Sequence, residues 1–591
     1  MQLTSFDWVI VFAFFAVSLA IGIWASRDSG KSTKEFFLSG RNMPWWLLGV
    51  SMVATTFSAD TPNLVTDIVR KQGVAGNWAW WAFLLTGMLT VFVYARLWRR
   101  SGVMTDLEFY ELRYAGAPAR FLRQFRAIYL GVFFNVMIMA TVCLAGIKIA
   151  GVLLDINPIA TVVLVSVVTV IYSALGGLKG VILTDFVQFT FAMIGAIWAA
   201  YVVVNLPQVG GLDGLFSHAE VSERLDLIPA FDNPEVYVPL FVVPIAVQWW
   251  SVWYPGAEPG GGGYVAQRML AAKNENHAVG ATLLFNAFHY ALRPWPWILI
   301  ALASLIVFPD LDSIATAFPN VASNVIDDDL AYPAMLSFLP TGLLGLVIAS
   351  LIAALMSTLS THLNWGSSYV VHDWYHRFVE PDADEDRLVL IGRISTVVLM
   401  VLAGVLALAL SNALQAFSIL LQIGAGTGLI FILRWFWWRI NAYTEIAGMF
   451  ISFAVALFLE FAWVPLGLPE LAGHERLLLG IAITTVGWLA VTFATRPTDR
   501  ETLANFYLTT RPGGPGWDPI VASLPERADT RADGQLPLRI LAMLVGAITI
   551  YSVLFATGFY LYGNLSATLT AGTISAAGIA ALLAIWSRLR R

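Results

Sequence analysis

Charged residues are scarce in this sequence: Asp, Glu, Lys and Arg make up only 12% of its 591 residues. An ordinary soluble domain carries about 25%, and a soluble chain of this length would form roughly four domains, each with a charged surface. The hydrophobic residues, 58% of the chain, lie in long runs that favour spanning helices over the alternating strands of a barrel. A soluble enzyme, a disordered chain and a nucleic-acid-binding protein are therefore excluded. We expect an all-α protein that crosses a lipid bilayer many times.

Cysteine is almost absent. Cys143 is the single cysteine, so neither an intrachain disulfide nor a multi-cysteine metal site can form. His372 and His376 stand four residues apart, but no third ligand with zinc-site spacing accompanies them. This composition disfavours a membrane metalloenzyme, and we predict no enzymatic activity.

Fifteen segments are long and apolar enough to cross a bilayer, which takes about 20 mostly apolar residues. We number them span zero to span fourteen. They lie near residues 6–26, 43–69, 77–98, 127–153, 157–175, 180–206, 237–258, 278–308, 340–375, 388–410, 412–438, 442–466, 476–495, 539–563 and 567–588.

The basic residues are distributed unevenly between the two sides of this arrangement. When the fifteen spans alternate in direction, 28 of the 34 Lys and Arg residues fall on one side. Cytoplasmic segments collect Lys and Arg, so we predict an external N-terminus and a cytoplasmic C-terminus. The stretch 496–537 is then a cytoplasmic linker, and the acidic run Asp327 to Asp329 is external.

Two spans contain helix-breaking residues midway. Span one contains Ser58, Asp60 and Pro62, and the run 253–264 at span six contains two prolines and five glycines. Non-helical backbone at membrane depth is tolerated only where it lines a cavity or is buried in protein. Breaks in matching positions, five spans apart, indicate an inverted-repeat transporter in which freed carbonyls and helix ends bind coupling ions and substrate. A plain loop after Tyr254 is the alternative for span six.

Span eight presents a face of hydroxyl groups. Ser357, Ser360 and Thr361 stand at i, i+3 and i+4, and Thr358 extends the same face. Neutral oxygen ligands suit a monovalent cation such as Na⁺. The alternative is a set of hydroxyls bonded to their own helix, or small residues at a helix contact. Asp185 of span five is either an anchor for a second cation beside this face or an interfacial acid.

Four motifs, in order over roughly residues 6–440, resemble the sodium:solute symporter family, which includes the sodium–glucose and sodium–proline cotransporters. The motifs are Ser58-Ala59-Asp60, Tyr172–Leu178 with Thr184-Asp185 and Gln188, Gln267–Lys273, and the span-eight hydroxyls followed by Asn364 and Asp373-Trp374-Tyr375. The resemblance implies a LeuT-type bundle of two inverted five-helix repeats with flanking helices. It also implies Na⁺-coupled secondary active import by alternating access.

The predicted spans, with the two repeats that the resemblance implies, divide the chain into six parts. They are an extra transmembrane helix and loop (1–42), a first repeat of spans one to five (43–206), a second repeat of spans six to ten (237–440), spans eleven and twelve (441–495), the linker (496–537) and two C-terminal spans (538–591).

The resemblance also places the coupling ions, one or two Na⁺. The sodium site shared by the family uses carbonyls of spans one and eight and two span-eight hydroxyls. These positions fall on Ala54, Phe57, Ala354, Ser357 and Thr358. Members with a second Na⁺ use a span-five carboxylate and later span-eight hydroxyls. Those positions fall on Asp185, Ser360 and Thr361, together with Ser357.

Candidate substrate groups surround the two breaks. They are Thr56, Ser58, Asp60, Thr61, Glu258, Gly262, Tyr264, His289, Arg293 and Gln422. Mixed acids and bases indicate a small polar solute, an amino acid or a sugar or polyol. A carboxylate, a nucleoside, or a solute-sensing homologue with little flux are the alternatives. We expect the plasma membrane of a bacterial-type cell, and the sequence leaves the oligomeric state open, a monomer included.

Overall fold

The computed structural model describes residues 3–29, 38–103, 105–173, 178–252, 258–524 and 535–589. Apart from one isolated bridge between Met43 and Ala272, the regular secondary structure of these ranges is helical. The all-α prediction is therefore confirmed, and a helix lies at each of the fifteen predicted positions.

Ten helices within the described residues are long and apolar enough to cross a membrane. They are Val74–Ser101, Gly116–Leu153, Val181–Val204, Glu275–Val307, Leu343–Val379, Asp386–Ala409, Ala442–Ala462, Gly473–Ala494, Leu536–Leu561 and Leu565–Leu589. Spans zero, one, four, six and ten hold shorter apolar segments, Ser5–Ser18, Trp45–Thr56, Pro158–Val170, Pro234–Ala246 and Leu420–Phe436.

Span one is broken as predicted. Its first helix is Trp45–Thr56 and its second is Asp60–Gln72, with Phe57 in extended backbone conformation between them. Pro62 lies in the first turn of the second helix, where backbone N–H groups have no partner within the helix, so its missing donor costs nothing. The break leaves carbonyl groups at the end of the first helix free for other partners.

Span six is also interrupted. Short helical segments run from Pro234–Tyr237 to Gln248–Trp250, and a new helix, Gly263–Ala271, follows the break. Gly260 and Gly261 have φ angles of 93° and 90°, which residues with a Cβ atom adopt only under strain. The first part of the predicted break, 253–257, lies outside the described residues.

Span ten is interrupted for two residues, which the sequence did not predict. Its helices are Ala413–Ala425 and Gly428–Phe436. A Cβ atom on Gly424 would lie 2.0 Å from the Val252 carbonyl oxygen, and one on Gly428 would lie 1.8 Å from that of Trp250. Glycine is therefore required because the backbone of span six rests directly on span ten.

The C-terminal spans and the linker pack against the bundle. The hairpin of Leu536–Leu561 and Leu565–Leu589 lies beside span two, where the Tyr551 hydroxyl donates to the Trp81 carbonyl over 2.8 Å. In the linker, the Trp517 indole donates over 2.8 Å to the Trp435 carbonyl at the end of span ten.

Buried and partly buried ion pairs lie at both predicted ends of the bundle. At the predicted external end, which we call the outer ion-pair cluster, Arg70 contacts Asp328 at 2.7 Å, Lys71 contacts Asp67 and Asp327, and Lys148 of span three pairs with Asp329. At the predicted cytoplasmic end, the inner ion-pair cluster joins Arg123 to Asp373 and Glu111, and Arg126 to Glu258. The central cavity lies between these two clusters.

Candidate functional site

A cavity of about 70 Å³ lies at the span-one break, between spans one, two, three, seven and ten. Six of the ten predicted substrate residues line it. They are Thr56, Ser58, Asp60, Thr61, His289 and Arg293. The cavity walls also include aromatic and hydroxyl side chains that the sequence did not single out, namely Trp80, Phe83, Thr141, Tyr290 and Phe417.

Arg293 and His289 of span seven hold the end of the first span-one helix. The Arg293 guanidinium donates to the Thr56 carbonyl over 2.9 Å and lies 3.2 Å from Nε2 of His289. Nδ1 of His289 lies 3.1 Å from the Thr56 hydroxyl. A guanidinium can only donate, so Nε2 accepts and the proton of the neutral imidazole sits on Nδ1. The pair thus satisfies a carbonyl that the helix break leaves without a helical partner.

His289 lies in a π-helical turn, Phe288–Leu292, that ends at Arg293. Pro294 and Pro296 follow and lack the N–H groups that a regular α-helix would use. The wider turn carries both side chains towards span one, and π-turns are frequent at functional sites.

The cavity presents polar atoms that the protein leaves unpaired. Among the described residues, the buried Oδ1 atom of Asp60 and the Nε atom of Arg293 have no hydrogen-bond partner. Leaving such groups buried and unpaired is costly, so they are suited to a ligand. The Trp80 and Tyr290 rings stack beside them with centroids 5.9 Å apart. This combination of an aromatic wall with a few polar groups is typical of small-molecule sites.

The residues of the predicted first sodium site lie on spans one and eight, whose helices Trp45–Thr56 and Leu343–Ser368 are in contact. Ser357 donates its hydroxyl proton to Asp185 over 3.0 Å, which leaves its oxygen lone pairs free. The buried Thr358 hydroxyl has no hydrogen-bond partner in the part of the chain that the structure describes. Ala54 and Phe57 lie at the end of the broken helix, and Ala354 lies one turn before Thr358. These oxygen donors fit Na⁺.

Asp185 is fully buried and lies at the centre of a polar network. It accepts hydrogen bonds from Ser51 over 2.7 Å and from Ser357 over 3.0 Å, and Arg268 lies 3.7 Å away. Asp185 is therefore part of a buried polar network between spans one, five, six and eight. The sequence did not predict Ser51 or Arg268 as partners, because their proximity depends on how spans one, five and six pack.

The other two residues of the predicted second sodium site lie further along span eight. The Ser360 hydroxyl donates to the Ser357 carbonyl of its own helix over 3.0 Å. The buried Thr361 hydroxyl has no hydrogen-bond partner within the described ranges, so its oxygen is available to a ligand.

The model of the sodium:solute symporter family matches residues 36–452. The chain belongs to the sodium:solute symporter family. It is similar to the sodium/glucose cotransporter of Vibrio parahaemolyticus, with 29% identity over 82% of this chain and 89% of that protein. It is also similar to the sodium/mannose cotransporter of Bos taurus, with 28% identity over 78% and 80%, and to the sodium/myo-inositol cotransporter 2 of Oryctolagus cuniculus, with 28% over 90% and 82%.

Among solved structures, this symporter is similar to a substrate-bound, outward-open Na⁺-coupled sialic acid symporter. The TM-score is 0.62 at 19% identity, over 84% of this chain and 99% of that one. The likeness shows a LeuT-like transporter fold. The protein is therefore a sodium-coupled membrane symporter for a small solute, not an enzyme, and Na⁺ is its coupling ion.

Four predicted substrate residues of the symporter lie outside the central cavity. Glu258 accepts a hydrogen bond from Arg126 over 2.6 Å, and a Cβ atom on Gly262 would lie 1.9 Å from its other carboxylate oxygen. Tyr264 lines a separate cavity of about 40 Å³. Gln422 lines a third, of about 290 Å³, at the predicted external side. The 40 Å³ cavity shares Phe83 and Tyr290 with the central cavity, so Glu258 and Tyr264 lie beside the span-one set without lining it.

Phe417 of span ten separates two of the symporter's cavities, because it lines both the central cavity and the one that contains Gln422. A further cavity of about 400 Å³ at the predicted cytoplasmic end is lined by Asp106, Arg123 and Asp373. The central site thus has a larger cavity beyond it on either side.

Proposed function

We propose that this symporter imports a neutral sugar or cyclitol, and that the solute binds in the central cavity against Asp60, Trp80 and Tyr290. A sugar carries hydroxyl donors around an apolar ring face, which fits a carboxylate with one unpaired oxygen beside stacked aromatic rings. The unpaired Asp60 oxygen is the observation that carries this proposal. Relatives named for glucose, mannose and myo-inositol support the same class.

An amino acid is the second solute class that the sequence allowed. Its carboxylate would need the Arg293 guanidinium. Two nitrogens of that guanidinium are already engaged by Thr56 and His289, and Nε alone is unpaired among the described residues. A bidentate carboxylate contact would therefore break the anchor of span one, so we favour the sugar or cyclitol.

For the ions we propose two Na⁺ per cycle. The first would bind the carbonyls of Ala54, Phe57 and Ala354 and the hydroxyls of Ser357 and Thr358. The second would bind Asp185 with Ser360 and Thr361. The orphaned Thr358 and Thr361 hydroxyls support this assignment. Two charges moving down 100 mV supply about 4.6 kcal/mol, enough for more than a thousandfold accumulation of solute.

For the topology we propose fifteen spans, an external N-terminus, a cytoplasmic C-terminus and location in a bacterial-type plasma membrane. The two inverted repeats would be 43–206 and 237–440, and the breaks in spans one and six support that division. The outer and inner ion-pair clusters would then be the contacts that open in turn during alternating access.

The experiment is a thermal-shift measurement on the purified protein with glucose, myo-inositol or proline, in NaCl or in choline chloride. Ligand binding raises the apparent stability by mass action. We expect stabilisation by a sugar or cyclitol only in Na⁺, and at least a tenfold loss of apparent affinity in Asp60→Asn. Asp213→Asn, an exposed acid on the helix Gly211–Ser217, is the matched control. Stabilisation by proline alone, or full affinity in Asp60→Asn, would contradict the assignment.

A further inference from the structure

Arg268 lies in the helix Gly263–Ala271 that follows the span-six break, and its side chain is fully buried. Its Nε donates to the Ser51 hydroxyl and its Nη2 to the Thr55 hydroxyl, both over 2.9 Å. Nη2 lies 3.7 Å from Oδ2 of Asp185. A permanent positive charge therefore rests against the carboxylate of the proposed second sodium site.

The hydrogen-bond directions in this network are fixed by chemistry. Ser51 has one hydroxyl proton, and it goes to Asp185 over 2.7 Å. Its oxygen then accepts from Arg268, which can only donate. A sodium ion of the proposed second site would bind the same carboxylate. Two like charges a few ångströms apart in a buried site repel strongly, so the guanidinium and the ion compete.

We propose that Arg268 is a tethered counter-ion of Asp185 that sodium must displace. This inference rests on the proposed second sodium site. In the absence of the ion, Arg268 offsets the cost of a buried carboxylate. When Na⁺ binds, the ties of Arg268 to Ser51 and Thr55 of span one are released, and the helix Gly263–Ala271 loses that anchor.

The helix Gly263–Ala271 also contacts residues at the predicted cytoplasmic side, so its release would transmit ion binding to that side. The first N–H of the helix, from Gly263, donates to Asp106 over 2.8 Å at the 400 Å³ cavity. Its last residue, Ala271, accepts from the backbone N–H of Met43 over 3.2 Å. Arg268 lies between these two contacts, so it is placed to couple ion occupancy to movement of the helix.

The test uses Na⁺ alone as the probe, so no organic solute has to be known. The melting temperature of purified full-length protein is titrated with NaCl against choline chloride at constant ionic strength, with KCl as the ion control. We expect Arg268→Gln, which keeps hydrogen-bonding capacity but loses the charge, to lower the half-saturating Na⁺ concentration about tenfold. Arg268→Lys keeps the charge and is expected within about twofold of the unaltered protein.

A second comparison covers the case in which Arg268→Gln alone fails to fold. Asp185→Asn removes the carboxylate for which Arg268 and Na⁺ compete. The half-saturating Na⁺ concentration of the double variant Asp185→Asn with Arg268→Gln should therefore lie within about twofold of that of Asp185→Asn alone. The proposal would be overturned if Arg268→Gln left the half-saturating Na⁺ concentration unchanged or raised it, or if Arg268→Lys and Arg268→Gln gave the same value. It would also be overturned if Arg268→Gln changed this concentration tenfold in Asp185→Asn. Absence of any Na⁺ effect in the unaltered protein would instead refute the proposed sodium sites.

Discussion

Single polar atoms left without a protein partner mark the proposed sites at the residue scale. Oδ1 of Asp60 and the hydroxyl oxygens of Thr358 and Thr361 are buried yet unpaired among the described residues. Most buried polar groups in folded proteins have partners. The three oxygens lie at the span-one break and on span eight, so each is available to a ligand of the proposed sites.

The first prediction concerns Thr358 and Ser357. Removal of both hydroxyls by Ser357→Ala with Thr358→Ala should raise the Na⁺ concentration for half-maximal uptake more than tenfold, because two ion ligands are lost. Ser350→Ala is the matched control on the same helix, since Ser350 donates only to the Val347 carbonyl one turn away in the described contacts. An unchanged Na⁺ requirement in the double variant would remove these two residues from the ion site.

The second prediction concerns Asp329 of the outer ion-pair cluster. Burial raises its pKa from 3.8 to about 6, and the partner Lys148 opposes this only in part. The folded protein therefore holds more protons than the unfolded chain between these values, so protonation of Asp329 stabilises the fold as the pH falls. From pH 7 to pH 5 this group should add about 1 kcal/mol.

Melting temperatures of the unaltered protein and of Asp329→Asn, measured between pH 7 and pH 5, test this sign. The difference between them should shift in favour of the unaltered protein as the pH falls. Asp327→Asn is the control. Burial raises the pKa of Asp327, but the hydrogen bond from the Asp328 N–H and the charge of Lys71 lower it further, so this pKa lies below 3.8. A constant difference for Asp329→Asn would contradict the account.

Broken helices organise the molecule at the element scale, and the interruption in span ten was harder to predict than those in spans one and six. Proline disfavours the interior of a helix, and a run of four glycines weakens one, so the breaks in spans one and six could be predicted from the sequence. Span ten carries no proline, and glycine in a membrane helix more often marks a close helix contact. The sequence signal for this interruption is the run Gly424-Ala425-Gly426-Thr427-Gly428. Its cause, the close packing of Gly424 on Val252 and of Gly428 on Trp250, is seen only in the structure.

The third prediction follows from that contact. Gly428→Ala places a Cβ atom 1.8 Å from the Trp250 carbonyl oxygen, so spans six and ten must separate. We expect a lower melting temperature, by an amount corresponding to about 1–3 kcal/mol, and loss of solute uptake. Gly572→Ala in span fourteen is the control, because its Cβ atom would meet nothing within 4 Å among the described residues. Equal stability of the two variants would contradict the close approach.

The site was predictable in its polar part and less so in its aromatic part. Thr56, Asp60 and Arg293 were found because polar groups at membrane depth are rare and costly. Trp80 and Tyr290 were missed because the chain has 23 Trp and 18 Tyr, and spacing alone does not separate a cavity wall from a lipid-facing ring. Contacts between distant spans become visible only in three dimensions.

At the scale of the whole molecule, ion pairs join neighbouring spans at both predicted ends of the bundle. Lys148 with Asp329 and Arg70 with Asp328 join spans one and three to the predicted external loop, whereas Arg126 with Glu258 joins span three to the span-six break. The pairs of Lys148 with Asp329 and of Arg126 with Glu258 are buried, so removal of one partner leaves a costly unpaired charge. This arrangement suits a transporter whose two ends open alternately around one central cavity.

Uptake of a labelled sugar or cyclitol into proteoliposomes tests the central claim most directly. Glucose, mannose and myo-inositol would each be followed with an inward Na⁺ gradient, and again with choline replacing Na⁺. We predict that at least one of them accumulates above its external concentration only with the Na⁺ gradient, and that Asp60→Asn abolishes this accumulation. Accumulation that is unchanged in choline would contradict sodium-coupled transport through this site.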